Sequence, residues 1–249
     1  MVEEVRKLIA KDIQLSIIIP TYMEAETLPR LVERVEKALK EIDFEIIIID
    51  DNSPDGTADI AEKLSMKFGN IRVMSRPAKL GLGSAVMDGL KLARAQLIAV
   101  MDADLQHPPE ALIKMLEGLR KGCDVVIASR YVKGGGVGGL SVWRRLISKG
   151  ATILAHVSLP KTSLVSDPLS GYFAFNKKVI YGIKLNPIGY KILLEMLVKG
   201  KYERVCEIPY DFQRRAGGKS KARAQISSPA VGTQGELLGG RLLWRANHL

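Results

Sequence analysis

Asp102 and Asp104 stand one residue apart at the end of the apolar run Leu97-Ile98-Ala99-Val100-Met101. Two carboxylates this close repel each other unless something between them carries positive charge. In an extended chain, side chains at i and i+2 point to the same side. Both acids would then face one point, with Gln106 following if the chain stays extended. Two carboxylates and an amide oxygen suit a hard divalent cation, Mg2+ or Mn2+, which keeps open positions for substrate phosphates. A surface turn ahead of Pro108-Pro109 is the ordinary alternative. A D-x-D pair does not decide between these by itself, so the elements around it must.

Those elements alternate in period. Leu15–Ile19 is a short apolar run ending at Pro20 and reads as a buried strand. Leu28, Leu31, Val32, Val35 and Leu39 follow at helical spacing. Phe44–Ile49 is a second buried strand ending in Asp50-Asp51, and SPDGT leads into a helix carrying Ile60, Ala61 and Leu64. Ile71–Met74 is a third strand, after which GLGSAVMDGL opens a helix. The strand ending at Asp102 is the fourth, followed by a helix with Leu112, Met115, Leu116 and Leu119. Pro109 sits where a first helical turn tolerates it. Asp124–Ala128 is the fifth strand. This order predicts an α/β fold: a mostly parallel, Rossmann-like sheet covered by helices on both faces.

In such sheets ligands bind beyond the carboxyl ends of the strands. The polar clusters lie there: Thr21, Tyr22 and Glu24, then Asp50 and Asp51, then Asp102 and Asp104, then Arg130. Scattered surface polarity would not choose strand ends so regularly. The first turn reads PTYMEAE rather than G-x-G-x-x-G, which argues against a dinucleotide-dependent dehydrogenase.

A chain of 249 residues makes one large domain or somewhat more. The net charge of +10 points to polyanionic partners: nucleic acid, anionic lipid or phosphorylated substrates. Cys123 and Cys206 are far apart without a C-x-x-C pattern, and read as reduced residues in a cytosolic environment. The charged N-terminus has no signal-peptide core, and no apolar run of about 18 residues is present. If the protein works on a membrane, it works from the surface or through a partner.

After Tyr131 the composition shifts. VKGGGVGGL reads as a mobile loop. SVWRRLISKGATILAHV is a basic amphipathic helix. It lies on a membrane surface or packs on the sheet, and periodicity alone does not separate these. SGYFAF reads as a strand, YKILLEMLVKG as a helix and ERVCEIPYDF as a half-exposed strand. RRAGGKSKAR has the composition of a mobile phosphate clamp, or of a solvated charge run. Residues 222–249 lose the pattern and read as an irregular tail, separate from a catalytic domain over 1–221 with an interfacial segment near 132–165.

The segments IIIPTYMEAETL, IIIIDDNSPDGT, GLGSAVMDGL, VMDADLQHPPE, IASRYVKGGG, WRRLISKGA, DPLSGYFAF and EIPYDFQRRAGGKSK follow in this order. Over about residues 14 to 221 the chain resembles the dolichyl-phosphate mannose synthases, inverting glycosyltransferases with the GT-A fold. The first half of that resemblance is shared by many nucleotide-sugar transferases. The ASRY, WRRLISKG and GGKSK segments are closer to enzymes with polyprenyl phosphate acceptors.

The resemblance implies that Pro20, Tyr22, Glu24 and Asp51 hold the donor nucleoside, with Asp50 supporting them. It implies that Asp102, Asp104 and Gln106 hold the metal. Arg130, Arg144, Ser148, Arg215 and Lys219 match positions that contact donor or acceptor phosphates, with Arg130, Arg144 and Ser148 on the acceptor side and Arg215 and Lys219 on the donor side. The segment from Asp167 to Gly171 lines the sugar side. Asp102, Asp104, Arg130 and Arg144 are the implied catalytic set. The implied reaction moves mannose from GDP-mannose to dolichyl phosphate with inversion, for glycan assembly. A phosphate acceptor already carries about −1.5 to −2 charges at pH 7, so it attacks without a general base.

Met23 stands where the family usually has Asn, and Ser84-Ala85-Val86 also departs slightly. Some relatives continue into transmembrane helices or an anchor. The familiar pattern here stops near Lys221, so the resemblance leaves a catalytic domain with a missing transmembrane region, or a soluble form with a membrane-anchoring partner, expected to be peripheral on the cytoplasmic side of a membrane. The same reaction with UDP-glucose is the nearest alternative. A non-catalytic module on anionic membranes is a further one, and nucleic acid is not an expected partner.

Overall fold

The computed structural model describes residues 13–138, 142–187 and 191–213, with residues 142–149 described by backbone alone. The first half is built from β1 (Leu15–Thr21), α1 (Leu28–Ala38), β2 (Phe44–Asp50), α2 (Thr57–Phe68), β3 (Ile71–Ser75), α3 (Leu82–Leu92) and β4 (Leu97–Val100). The second half adds α4 (Ala111–Arg120), β5 (Val125–Ser129), α5 (Val142–Ser158), β6 (Phe173–Asn176), α6 (Ile192–Lys199) and β7 (Val205–Pro209). The strands form one seven-stranded sheet in the order β3-β2-β1-β4-β6-β5-β7. Among the described strands only β6 runs antiparallel to its neighbours.

The isoleucine-rich runs of β1 and β2 are buried along their whole length because helices cover both faces. Ile17, Ile19, Ile46 and Ile48 face Leu31, Val32 and Val35 of α1, Leu64 of α2, and Leu112 and Met115 of α4. The alternate residues Ile18, Ile47 and Ile49 face Val86 and Leu90 of α3, with Leu193 and Met196 of α6 in the same layer. Truncating one such isoleucine to alanine costs about 2–5 kcal/mol.

The strand order reverses between β1 and β4, which places a crevice at their carboxyl ends. The β1–β2 pairing continues to Thr21↔Asp50, but β1–β4 stops at Ile18↔Val100. Pro20 lies just past that last β4 partner, where its missing N–H costs the sheet nothing on that side.

Two expectations are corrected. Cys123 and Cys206 are joined in a disulfide, with Cα atoms 6.0 Å apart. Their separation in sequence is misleading, because β5 and β7 pair in parallel with Val126 opposite Cys206. The cysteines therefore give no support to a reducing compartment. The start of the glycine-rich run is packed rather than loose. Gly136 bridges to Asp211, donating to the Tyr210 carbonyl and accepting from the Phe212 N–H. A Cβ on Gly135 would lie 2.7 Å from the Ser129 carbonyl oxygen, so these glycines serve close approach.

Ile153, Leu154 and Val157 on the described part of α5 are exposed, as is Leu164 just after it, while Thr152 and Ala155 are buried. No described helix is long and apolar enough to cross a membrane.

Candidate active site

The ends of β1 and β2 are tied together by their own polar residues. The Asp50 carboxylate accepts from the hydroxyls of Thr21 (2.9 Å) and Ser53 (2.6 Å) and from the Ser53 N–H (2.8 Å). The Ser53 hydroxyl in turn accepts from the Met23 N–H, and Met23 adopts a left-handed φ of 56°. Glu24 is buried, its carboxylate accepting from Thr27 and its N–H donating to Thr57.

Asp51 turns inward. Its carboxylate accepts from Arg76 Nη2 (2.5 Å) and from the N–H groups of Leu80 and Gly81, both at 2.8 Å. Arg76 also donates to the Gly81 carbonyl and the Ser84 hydroxyl, so one buried ion pair fixes the loop from β3 to α3. From that loop, Lys79 places its Nζ 3.9 Å from the centre of the Tyr22 ring, a cation–π contact.

Beyond β4 the chain does not stay extended. Leu105 takes φ 63°, and Asp104 Oδ1 accepts from the Gln106 N–H at 3.1 Å. The Gln106 side-chain amide donates to the Gln213 carbonyl at 2.9 Å, bringing the segment after β7 beside the two acids. His107 closes the turn. Its Nδ1 accepts from the Asp102 N–H at 3.0 Å, so in the neutral ring the proton sits on Nε2, 3.8 Å from Asp102 Oδ2. The ring stacks on Tyr172, with centroids 4.8 Å apart, and meets the edges of Tyr210 and Phe212. Burial pushes the His107 pKa down to about 4, against the pull of Asp104, so the ring is neutral at pH 7 and Asp102 gains no ion pair from it. Gly171 packs against this turn, where a Cβ would sit 3.3 Å from Asp102 Oδ2.

Past β5, Arg130 meets fully buried Asp167 in a two-pronged ion pair, Nε to Oδ2 and Nη2 to Oδ1, each at 2.7 Å. Burial alone would lower the Arg130 pKa, and the hydrogen-bonded Asp167 carboxylate more than offsets this, so the guanidinium stays charged. The backbone of Asp167 is itself held. Glu207 of β7 accepts from the N–H groups of Ser166 (2.8 Å) and Asp167 (3.2 Å). Tyr210 lies within electrostatic reach of Arg130, Asp167 and Asp102, and burial first of all raises its pKa.

Pro20, Tyr22, Glu24, Asp50, Asp51, Asp102, Asp104, Gln106 and Arg130 thus gather along the carboxyl edge of the sheet. The side chains of Arg144 and Ser148, and all of Arg215, Lys219 and the 222–249 segment, lie outside the described residues. Arg76, His107 and Glu207 were not singled out from the sequence. Arg76 was findable as the charge one residue beyond β3, and His107 lies within the D-x-D stretch itself. Glu207 had no local signal, since it looks like one polar position of an alternating strand.

Among the described residues no three His, Cys, Asp or Glu side chains gather as a metal cage. Two strand-end acids with an amide beside them fit an ion that shares its shell with substrate phosphates and water.

The comparisons with known proteins agree with this architecture. Residues 16–180 match the family model described as "Glycosyl transferase family 2". The chain is 48% identical over 212 residues to a dolichol-phosphate mannosyltransferase of Pyrococcus furiosus, covering 85% of this chain and 60% of that protein. It is 35% identical to the dolichol-phosphate mannosyltransferase of Saccharomyces cerevisiae, covering 86% of this chain and 83% of the relative. Among solved structures, glucosyl-3-phosphoglycerate synthase of Mycobacterium tuberculosis superposes with a TM-score of 0.64 at 19% identity, covering 91% of this chain and 79% of that one. That likeness establishes the GT-A type of fold. The chain belongs to glycosyl transferase family 2, and within it to the dolichol-phosphate mannosyltransferases.

Proposed function

We propose that the chain transfers mannose from GDP-mannose to dolichyl or another polyprenyl phosphate, with inversion, giving the β-linked mannosyl lipid. One observation carries this reading beyond family membership. Strand-end carboxylates (Asp102, Asp104) and a half-buried, charged arginine (Arg130) flank the same edge of the sheet, next to the loop that begins at Asp167. That arrangement suits two anionic substrates drawn together, one through a cation and one directly.

Tyr22, with Lys79 over its ring, and the fixed loop from Arg76 to Gly81 would frame the nucleoside. Asp50 and Asp51 act by holding that frame, since their oxygens are engaged inside the protein. Asp102 and Asp104, with Gln106 beside them, would hold Mg2+ or Mn2+. When bound, the ion neutralises the charge that develops on the departing diphosphate. His107 keeps the Asp102 backbone in place while staying neutral. Arg130 would receive the acceptor phosphate, whose own charge makes a protein general base unnecessary. The exposed Ile153, Leu154, Val157 and Leu164 would rest on the bilayer that carries the lipid acceptor.

The test is transfer of labelled sugar to dolichyl phosphate in detergent, from GDP-mannose or UDP-glucose, with and without EDTA. Label from GDP-mannose that EDTA removes is the expected result, and Asp102→Asn should abolish it while the fold stays intact. Label from UDP-glucose alone would overturn the donor. Normal turnover of Asp102→Asn would overturn the metal assignment.

A further inference from the structure

Arg130 is held by more than charge balance requires. A carboxylate that neutralises a guanidinium weakens its pull on an incoming phosphate, so Asp167 does not serve affinity through net charge. What it does supply is direction. It takes Nε and Nη2 together and also accepts from the Arg130 N–H at 3.2 Å, which leaves the planar fork little freedom to rotate. Asp167 in turn is fixed through its own N–H, which with the Ser166 N–H closes on the Glu207 carboxylate. Glu207 stands on β7, opposite Ile127 of β5, the strand from which Arg130 emerges. The three residues therefore form a closed brace: β5 to β7 through the sheet, β7 to the loop through Glu207, and the loop back to Arg130 through Asp167.

Resting on the functional reading above, we infer that Asp167 and Glu207 are positioning residues for the acceptor. Glu207 sets the Asp167 backbone, Asp167 sets the Arg130 guanidinium, and the lipid phosphate binds the edge of that guanidinium which Asp167 leaves uncovered. A fork that points at the phosphate before it arrives saves the ordering cost at the moment of encounter. The nucleoside side of the donor site, at β1, β2 and the loop after β3, is held by hydrogen bonds of its own.

The experiment measures transfer from labelled GDP-mannose to dolichyl phosphate in detergent, varying each substrate separately, with thermal melts of every variant. Asp167→Asn is expected to raise the KM for dolichyl phosphate by about 10-fold or more, while the KM for GDP-mannose moves by less than about 2-fold. In an Arg130→Lys background the same change should alter the dolichyl phosphate KM by less than about 2-fold, because the residue acts through the fork. Glu207→Gln keeps the shape and one acceptor oxygen, and tests the same brace if Asp167→Asn fails to fold. It should raise the acceptor KM by about 3-fold and leave the donor KM alone. An active wild-type chain in which the folded variants leave the acceptor KM unchanged, or shift both substrates equally, overturns this inference alone. Equal effects of Asp167→Asn in the wild-type and Arg130→Lys backgrounds overturn it too. A wild-type chain that labels no lipid phosphate overturns the functional reading, and this inference with it.

Discussion

Breaking the Asp51–Arg76 pair should destabilise the chain strongly, and breaking both partners together should hurt much less than the sum. The two side chains are only 6% and 3% exposed, so neither charge can turn to water when its partner is lost. In Asp51→Asn the new amide carries two N–H donors where the carboxylate accepted from the Gly81 N–H, and the guanidinium loses its near counter-charge. Asp88, at 3.5 Å and partly exposed, replaces only a fraction of that charge. In Arg76→Met the carboxylate keeps the N–H groups of Leu80 and Gly81, but its charge stays buried. Removing one member of a buried pair costs about 3–5 kcal/mol, so each single variant should lose about 3 kcal/mol or more. The double variant Asp51→Asn/Arg76→Met carries no buried net charge at this point and should lose only about 3–4 kcal/mol, giving a coupling of at least about 2 kcal/mol. Urea unfolding followed by far-UV circular dichroism, without reductant, reads all three. Single losses below about 1 kcal/mol, or strict additivity, would refute the reasoning.

Three other expectations follow from the same structure. Replacing both Cys123 and Cys206 by alanine, or reducing the bond, reopens a separation of 83 residues and should remove about 4–5 kcal/mol, seen as a lower urea midpoint. His107 is neutral when folded down to about pH 4 but protonates near 6.5 when unfolded, so its contribution is complete above 6.5 and is lost as pH falls towards 4. Over that window the loss is about 3 kcal/mol, and His107→Asn, which can still accept from the Asp102 N–H, should flatten the stability curve measured by denaturant titration. Gly135→Ala forces a Cβ against the Ser129 and Arg130 carbonyls and should cost about 1–3 kcal/mol, with a raised KM for the lipid phosphate, checked by melts and transfer kinetics.

The first half of the fold was legible in the sequence because its signals are local. Ile46 to Ile49 followed by Asp50, or Leu28 to Val35 at helical spacing, specify element and face within a few residues. The acids after β2 and β4 could be placed by the rule for strand ends, and the structure sets them there. The second half depends on pairings between distant residues. Nothing near Cys123 announces Cys206, and nothing near Arg130 announces that Asp167, itself held by Glu207, will clamp it. The glycine run illustrates a different failure. Its composition resembles that of a loose linker, but at Gly135 and Gly136 the missing side chains let two backbones touch. The turn at Leu105 likewise followed from side-chain capture of a backbone N–H by Asp104, which alternation along a strand does not foresee.

The placement of β6 has a consequence for how the chain comes together. The neighbours of β5 in the sheet are β6 and β7, and both are made later than β5 itself. As the polypeptide emerges, β1 to β4 can pair among themselves in the order 3-2-1-4, each new strand finding a partner already present. β5 has no such partner and must wait for Phe173 to Asn176 to arrive between it and β4. The part of the site at the ends of β1 to β4 can therefore take shape on the ribosome well before the part around Arg130 exists. A chain stopped short of Phe173 would leave β4 with one open edge and β5 with two, the condition under which strands find partners in other molecules.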